Sequence, residues 1–189
     1  MEENSKDCTL FDGDDFLFKS YLTNCKIYFE YGVGKSTKWV IKNTLSKIIS
    51  VDTDKKWINN INVSKNSKRV NINWINLGEI ENWGRPKTYK YRGHFIDYIS
   101  NVWTFNIKAD VILIDGRFRV ACFIFSLLNA KEGSIIIFDD YVYRPHYHVI
   151  EEILKVHELC GRQAIFKVPK EYNKQLAQEL LHKFTYVFD

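Results

Sequence analysis

The sequence has few cysteines, and none of them forms a closely spaced pair. Cys8, Cys25, Cys122 and Cys160 are widely scattered, without a CxxC pair or a histidine at metal-binding distance. Scattered cysteines of this kind are typical of buried free thiols in a reducing compartment. We therefore expect a cytoplasmic protein.

Long apolar runs, strong net charge and internal repeats are also absent. No apolar run approaches the roughly eighteen residues that span a bilayer. Residues 1–15 are acidic and polar, without the apolar segment of a secretory signal. The net charge of +4 permits an anionic substrate but is too weak to favour nucleic-acid binding. We expect a small-molecule substrate and no membrane contact, and the oligomeric state stays open.

What the chain does have is the composition and length of one globular unit. It contains 189 residues, 46% of them hydrophobic, which is enough to build a substantial core. No shift in composition marks a boundary along it. We therefore expect a single domain over residues 1–189.

Strand and helix patterns alternate along the chain. The predicted strands are KIYFEYG ending at Gly32, KIISVD (47–52), RVNINWIN (69–76), DVILID (110–115), SIIIFDD (134–140), QAIFKVP (163–169) and FTYVF (184–188). Helices are predicted between them, at 11–24, 36–45, 53–61, 92–102, 118–130, 147–159 and once more before the last strand. This alternation indicates βαβ units, and so an α/β fold of the doubly wound, Rossmann-like kind. Its ligands bind at the carboxyl ends of the strands.

The segment EYGVGKST (30–37) follows the first predicted strand and suggests three possible ligands. A phosphate-binding P-loop would need a glycine five positions before Gly34, where Phe29 stands. A dinucleotide site matches Gly32 and Gly34, with Asp52 in place for a ribose, but Thr37 replaces the third glycine. Glu30 would repel the phosphates in either case.

S-adenosylmethionine avoids this repulsion because it has no phosphate and carries positive sulfonium and ammonium groups. Glu30 is then attractive, and Asp52 can accept hydrogen bonds from both ribose hydroxyls. Asn76 and Leu77, after the third strand, can border the adenine. The plain structural alternatives are that Asp52 caps the next helix and that Asn76 is a turn residue.

Five segments together resemble a known family: EYGVGKST, SVDTD, NLGEIENWGRP, VILIDGRFRVAC and IIIFDDYVYRPHYHVIEE. They are similar to a group of small class I S-adenosylmethionine-dependent methyltransferase-like proteins, over about residues 16–168. The resemblance implies a seven-stranded, mainly parallel sheet with helices on both faces and the last strand antiparallel. The full set of residues that we predict for cofactor binding is Glu30, Gly32, Gly34, Ser36, Asp52, Asn76, Leu77 and Asp115.

Three carboxylates stand at the ends of the fourth and fifth strands: Asp115, Asp139 and Asp140. Because neighbouring parallel strands bring such ends together, the carboxylates would repel one another unless a positive group lies among them. Mg²⁺ is one candidate, as in metal-dependent O-methyltransferases, which this pattern resembles, and it would activate a substrate hydroxyl. The alternative is that nearby arginines supply the positive charge.

Arginines and histidines follow the same strand ends and suggest a place for an anionic or hydroxylated acceptor. We predict catalytic roles for Asp115, Arg117, Arg144 and His146, the histidine as a general base. His148 is the other candidate for the base, but both histidines open a predicted helix, and the simpler interpretation is that they are surface residues. Trp83, in a Gly/Pro loop, either forms a wall of the site or packs on the sheet edge.

These observations predict an S-adenosylmethionine-dependent methyltransferase acting on a small polar acceptor, at oxygen. Lys35 would place a positive charge near a cationic cofactor, and this motivates one alternative, a non-catalytic protein that only binds the cofactor. A nicotinamide-dependent oxidoreductase is the other alternative.

Overall fold

The computed structural model describes residues 10–11, 14–62 and 67–188. It contains one seven-stranded sheet surrounded by helices. The strands are β1 (Ile27–Tyr31), β2 (Lys47–Asp52), β3 (Val70–Trp74), β4 (Val111–Ile114), β5 (Ile135–Phe138), β6 (Glu158–Cys160) and β7 (Gln163–Lys167). The α-helices are α1 (Phe16–Leu22), α2 (Lys35–Asn43), α3 (Lys55–Asn59), α4 (Phe95–Ser100), α5 (Arg119–Asn129) and α6 (Lys174–Phe184). Cys8 lies outside the described residues, while Cys25, Cys122 and Cys160 are free thiols.

The strands follow the order β3-β2-β1-β4-β5-β7-β6. All neighbours from β3 to β5 are parallel, whereas β7 runs antiparallel to both β5 and β6. The predicted α/β class, the mainly parallel sheet of seven strands and the antiparallel last strand are thereby confirmed. The order of strands reverses between β1 and β4, which is where a doubly wound sheet opens a ligand crevice.

Alternate residues of the central strands supply two cores, one on each face of the sheet. In β4, Ile112 and Ile114 pack on the side of α4, α5 and α6, while Val111 and Leu113 pack on the side of α1 and α2. All four residues are buried, as expected of a strand covered on both faces. The helices on both faces that the sequence predicted are therefore confirmed.

The predicted strand at 184–188 is wrong, because α6 extends to Phe184 and no strand follows it in the described residues. The aromatic residues of this segment pack against other aromatic rings and do not form a strand of the sheet. The ring of Phe188 lies 4.8 Å from that of Tyr89 and 5.7 Å from that of Phe95.

The predicted helix over 147–159 is also wrong in its second half. A 3₁₀ helix covers only Pro145–Glu152, and the short strand β6 follows it. Gly161, with φ of +57°, turns the chain so that Cys160 pairs with Gln163 in a hairpin. Gly161 therefore forms the turn between β6 and β7.

Candidate functional site

A cavity of about 590 Å³ lies at the carboxyl ends of the central strands. Gly32, Val33 and Gly34 border it after β1, Asp52 and Thr53 at the end of β2, and Asp115, Gly116 and Arg117 after β4. Asp140 and Arg144 border it beyond β5. This is the crevice that the topology predicts, and most of the predicted site residues meet there.

Gly32 makes the first turn of the cavity wall, and only glycine fits at this position. Its φ is +88°, and a Cβ atom here would lie 2.6 Å from the carbonyl oxygen of Asp115. Gly34 differs, because its backbone is extended and a Cβ would meet nothing within 4 Å. The first glycine thus lets β1 and β4 approach each other, and the second leaves open space beside the cavity.

Glu30 is buried beneath this loop and does not border the cavity itself, so its role toward the cofactor stays a prediction. It is fully buried and accepts hydrogen bonds from the hydroxyls of Ser36 (2.5 Å) and Ser50 (3.0 Å). Burial raises the pKa of Glu30 to about 7. Its role here is to hold the start of α2, where Ser36 borders the cavity, against the sheet.

Asp52 is the acidic group that the structure orients at the cavity. Its Oδ2 accepts the backbone N–H of Val33 at 2.7 Å, and its Oδ1 accepts that of Asp54 at 2.7 Å. Burial raises the pKa of this carboxyl. Each carboxylate oxygen has a second acceptor position, so the fixed carboxylate can still accept two hydroxyl donors. Asp54, and not Asp52, caps the following helix α3.

Asn76 and Leu77 are not among the residues that border the cavity in the described part of the chain, and their place beside an adenine stays a prediction. The side chain of Asn76 accepts the backbone N–H of Gly78 at 3.0 Å, so Asn76 is a turn residue. Leu77 is buried in the core.

Two tryptophans border the cavity on the same side. The rings of Trp57 and Trp83 are stacked, with centroids 5.8 Å apart and planes 17° apart. Trp83 is 71% exposed and has φ of +63°, which is unusual for a tryptophan. The Thr53 hydroxyl ties this loop to β2 by donating to the Gly84 carbonyl at 2.7 Å. Of the two interpretations of the Trp83 loop, the structure supports a wall of the site.

The three carboxylates expected to hold a metal do converge. One oxygen each of Asp115, Asp139 and Asp140 lies within 4.8 Å of the others. Burial, together with the neighbouring Asp139 carboxylate, raises the pKa of Asp115 well above its ordinary value.

Three arginines lie among these carboxylates. Arg162 binds Asp139 through two contacts, of 3.1 and 2.6 Å, and also lies 3.3 Å from Asp140. Arg119 contacts both Asp115 and Asp140 at 3.2 Å. Arg144 contacts Asp140 at 2.8 Å. The positive charge that the cluster requires is therefore present in the chain itself.

The donor set does not fit Mg²⁺. Asp139 is fully buried, and its oxygens already accept hydrogen bonds from Arg162 and from the side-chain amide of Gln163 at 3.0 Å. An Mg²⁺ ion needs carboxylate oxygens that are open to it and to its waters. The predicted magnesium role of Asp115, Asp139 and Asp140 is therefore at odds with the hydrogen bonds that they make.

The remaining predicted catalytic residues divide between the cavity and the surface. Arg117 and Arg144 border the cavity. His146 is exposed, lies outside the described cavity wall and packs its ring 4.3 Å from that of Tyr147. His148 lies 3.1 Å from the Tyr141 carbonyl oxygen. The surface interpretation of His146 agrees with this placement, and its role as a base stays a prediction.

Sequence reasoning missed Arg162, Tyr98 and Trp57 as residues of the cavity wall. Tyr98 belongs to α4 and accepts the backbone N–H of Arg117 at 3.3 Å. Arg162 precedes β7, and because β7 is antiparallel to β5, its first residues lie beside the last residues of β5. The hairpin of β6 and β7 is the feature from which the position of Arg162 near Asp139 could have been predicted.

No protein-family model and no curated protein sequence matches the chain. Solved structures do match. A methyltransferase-like protein from Silicibacter pomeroyi DSS-3 is 28% identical and has a TM-score of 0.76, covering 90% of this chain and 92% of that one. An O-methyltransferase from Bacillus cereus in complex with SAH is 16% identical, with a TM-score of 0.55 and coverage of 88% and 84%. The N-methyltransferase NodS from Bradyrhizobium japonicum WM9, in complex with S-adenosyl-L-homocysteine, is 12% identical, with a TM-score of 0.53 and coverage of 82% and 85%.

Among the described residues, no helix combines the length and the apolar character needed to cross a membrane.

The neighbours named above are methyltransferases or resemble them, and two were solved with the demethylated cofactor. The chain has the Rossmann-like fold of the class I S-adenosylmethionine-dependent methyltransferases.

Proposed function

We propose that the chain binds S-adenosylmethionine and transfers its methyl group to an oxygen atom of a small polar acceptor. The observation that carries this proposal is the Asp52 carboxylate, which the backbone amides of Val33 and Asp54 hold at the cavity. A fixed carboxylate at the end of β2 suits the two hydroxyls of a ribose. When bound, the cofactor supplies an electrophilic methyl group.

The two ends of the cavity carry different charged residues. This supports the proposal that the cofactor binds at one end and the acceptor at the other. Asp52 lies at β2, whereas Arg144 lies beyond β5, on the far side of β1 and β4 in the sheet order. The β2 end, with its carboxylate and stacked tryptophans, suits the nucleoside. The β5 end, with its guanidinium groups, suits the acceptor.

The arginines support acceptance at oxygen. Guanidinium N–H groups donate hydrogen bonds to carboxylate and hydroxyl oxygens and can orient them. Arg117 and Arg144 border the cavity, and Lys35 is a further positive group of its wall. We therefore propose an acceptor that is anionic or hydroxylated. Methyl transfer depends mainly on holding the nucleophile in line with the methyl group, so these residues act by positioning it.

The cofactor proposal is tested by calorimetric titration with S-adenosylmethionine, S-adenosylhomocysteine and NAD. We expect both adenosyl ligands to bind, and Asp52→Asn to weaken them on the order of ten- to a hundredfold, as for lost hydrogen bonds to a charged group. Asp97→Asn is the matched control, since this exposed carboxylate lies on α4 and binds His94. Preferential binding of NAD would support an oxidoreductase instead.

Turnover is tested separately, with radiolabelled methyl donor and panels of carboxylate, hydroxyl and amine acceptors. We expect labelled product from the first two classes. Tight cofactor binding without transfer to any class would favour the non-catalytic alternative that Lys35 suggests. Transfer to amines alone would contradict the acceptor assignment but not the cofactor assignment.

A further inference from the structure

The hairpin between β6 and β7 delivers an arginine into the acidic cluster. Gly161 and Arg162 form the turn, and the pairing of Phe138 with Ala164 sets the start of β7 beside the end of β5. The guanidinium of Arg162 therefore meets the carboxylates of Asp139 and Asp140. Its position follows from the backbone topology and not from a flexible surface contact.

The contacts of Arg162 use the oxygens that a divalent cation would need. Both oxygens of Asp139 accept its N–H groups, at 3.1 and 2.6 Å, and Asp140 Oδ1 lies 3.3 Å from its Nε. Asp139 is fully buried, so an ion could reach it only by displacing this guanidinium.

The cluster also holds enough positive charge without an added ion. Three acidic side chains face three guanidinium groups, those of Arg119, Arg144 and Arg162. A divalent cation would add two positive charges to this largely buried group, where Coulomb interactions are poorly screened. Removing Arg162 would free both oxygens of Asp139 and lower the positive charge beside them.

We propose that Arg162 takes the place of a divalent cation at the convergence of Asp115, Asp139 and Asp140, so that the protein needs no metal there. Arg162 is a positioning residue, because it fixes the carboxylates at the ends of β4 and β5. Arg119 completes the arrangement, since its NH1 donates to the Asp139 carbonyl at 2.7 Å and its Nε to the Gly116 carbonyl at 3.0 Å.

One consequence rests on the proposed function. The acceptor end of the cavity would then present guanidinium N–H groups and no metal ion. Arg144 is the arginine of the cluster with the most exposed side chain, at 40%, while it also contacts Asp140. It can orient an anionic acceptor by hydrogen bonds, and the acceptor hydroxyl would be positioned without coordination to a metal.

The test measures Mn²⁺ binding, by electron paramagnetic resonance, to the protein without any cofactor. We expect no site in the wild type up to about 1 mM Mn²⁺, the upper end of weak protein sites for divalent cations. Arg162→Ala should gain one site, at least about tenfold tighter than any binding by the wild type. Arg162→Lys should gain none, because the lysine keeps the positive charge. Arg92→Ala is the matched control, an exposed arginine outside the cavity wall.

Two results would overturn the proposal. One is submillimolar Mn²⁺ binding by the wild type that Asp139→Asn abolishes. The other is a folded Arg162→Ala protein that gains no site. If Arg162→Ala does not fold, the wild-type titration still decides, together with its melting temperature in EDTA and in Mg²⁺, which should be equal. None of these measurements involves methyl transfer, so failure here and failure of the proposed function are distinguishable.

Discussion

The buried carboxyl of Glu30 makes a specific prediction about stability and pH. Replacing it by glutamine keeps the shape and the ability to bond with Ser36 and Ser50, but removes the ionisable group. Burial raises the pKa of Glu30 from 4.5 in the unfolded chain to about 7 in the folded protein. The Glu30→Gln variant therefore isolates the effect of this one group.

The direction of the pH effect on stability depends on whether the folded or the unfolded protein loses the Glu30 proton at the lower pH. Between pH 4.5 and 7 the unfolded chain loses the Glu30 proton while the folded protein retains it. The stability conferred by the protonated carboxyl is complete below pH 4.5 and is lost as the pH rises through 7. Such a difference in pKa corresponds to about 3 kcal/mol, so at pH 8 we expect Glu30→Gln to be more stable than the wild type by up to about 3 kcal/mol.

The assay is urea denaturation of both proteins at several pH values from 4 to 8.5. Subtracting one free energy of unfolding from the other removes the contributions of all titratable groups that the two proteins share. Glu171→Gln, at an exposed position, is the control and should follow the wild-type curve. A constant difference between Glu30→Gln and the wild type across this range would refute the account of Glu30.

Two further predictions concern the cavity wall. Gly32→Ala should lower the free energy of unfolding by at least about 2 kcal/mol in urea denaturation, because its Cβ would clash with the Asp115 carbonyl at a positive φ. Gly93→Ala is the control, with open space at its Cβ, and an equal loss there would contradict the argument. Trp83→Ala should change stability by less than about 1 kcal/mol, since the ring is 71% exposed. It should weaken S-adenosylhomocysteine at least severalfold by calorimetry, and unchanged affinity would remove Trp83 from the site.

The central strands could be predicted from the sequence because both faces of each are buried. DVILID and SIIIFDD are continuous apolar runs, and the structure places β4 and β5 within them. The three-residue strand β6 offered no such signal, since Glu158 and Leu159 are partly or largely exposed and only Cys160 is buried. The hairpin was therefore hidden within a helix-like pattern.

The position of Glu30 could have been predicted from the strand period. Phe29 and Tyr31 pack on the side of α4 and α5, so Tyr28 and Glu30 face the opposite side of the sheet, beneath α2. The glycines locate the loop in the sequence, whereas the direction of the Glu30 side chain follows only from the strand period. Arg162 could not be placed in the same way, because its neighbours come from a hairpin and from strands distant in sequence.

A crystal structure of the protein with S-adenosylhomocysteine tests the central claim most directly. We expect both ribose hydroxyls within hydrogen-bonding distance of the Asp52 carboxylate, and the base on the side of Trp57 and Trp83. The homocysteine part should pass the loop between Gly32 and Gly34. A ligand bound elsewhere, or a ribose out of reach of Asp52, would contradict the account.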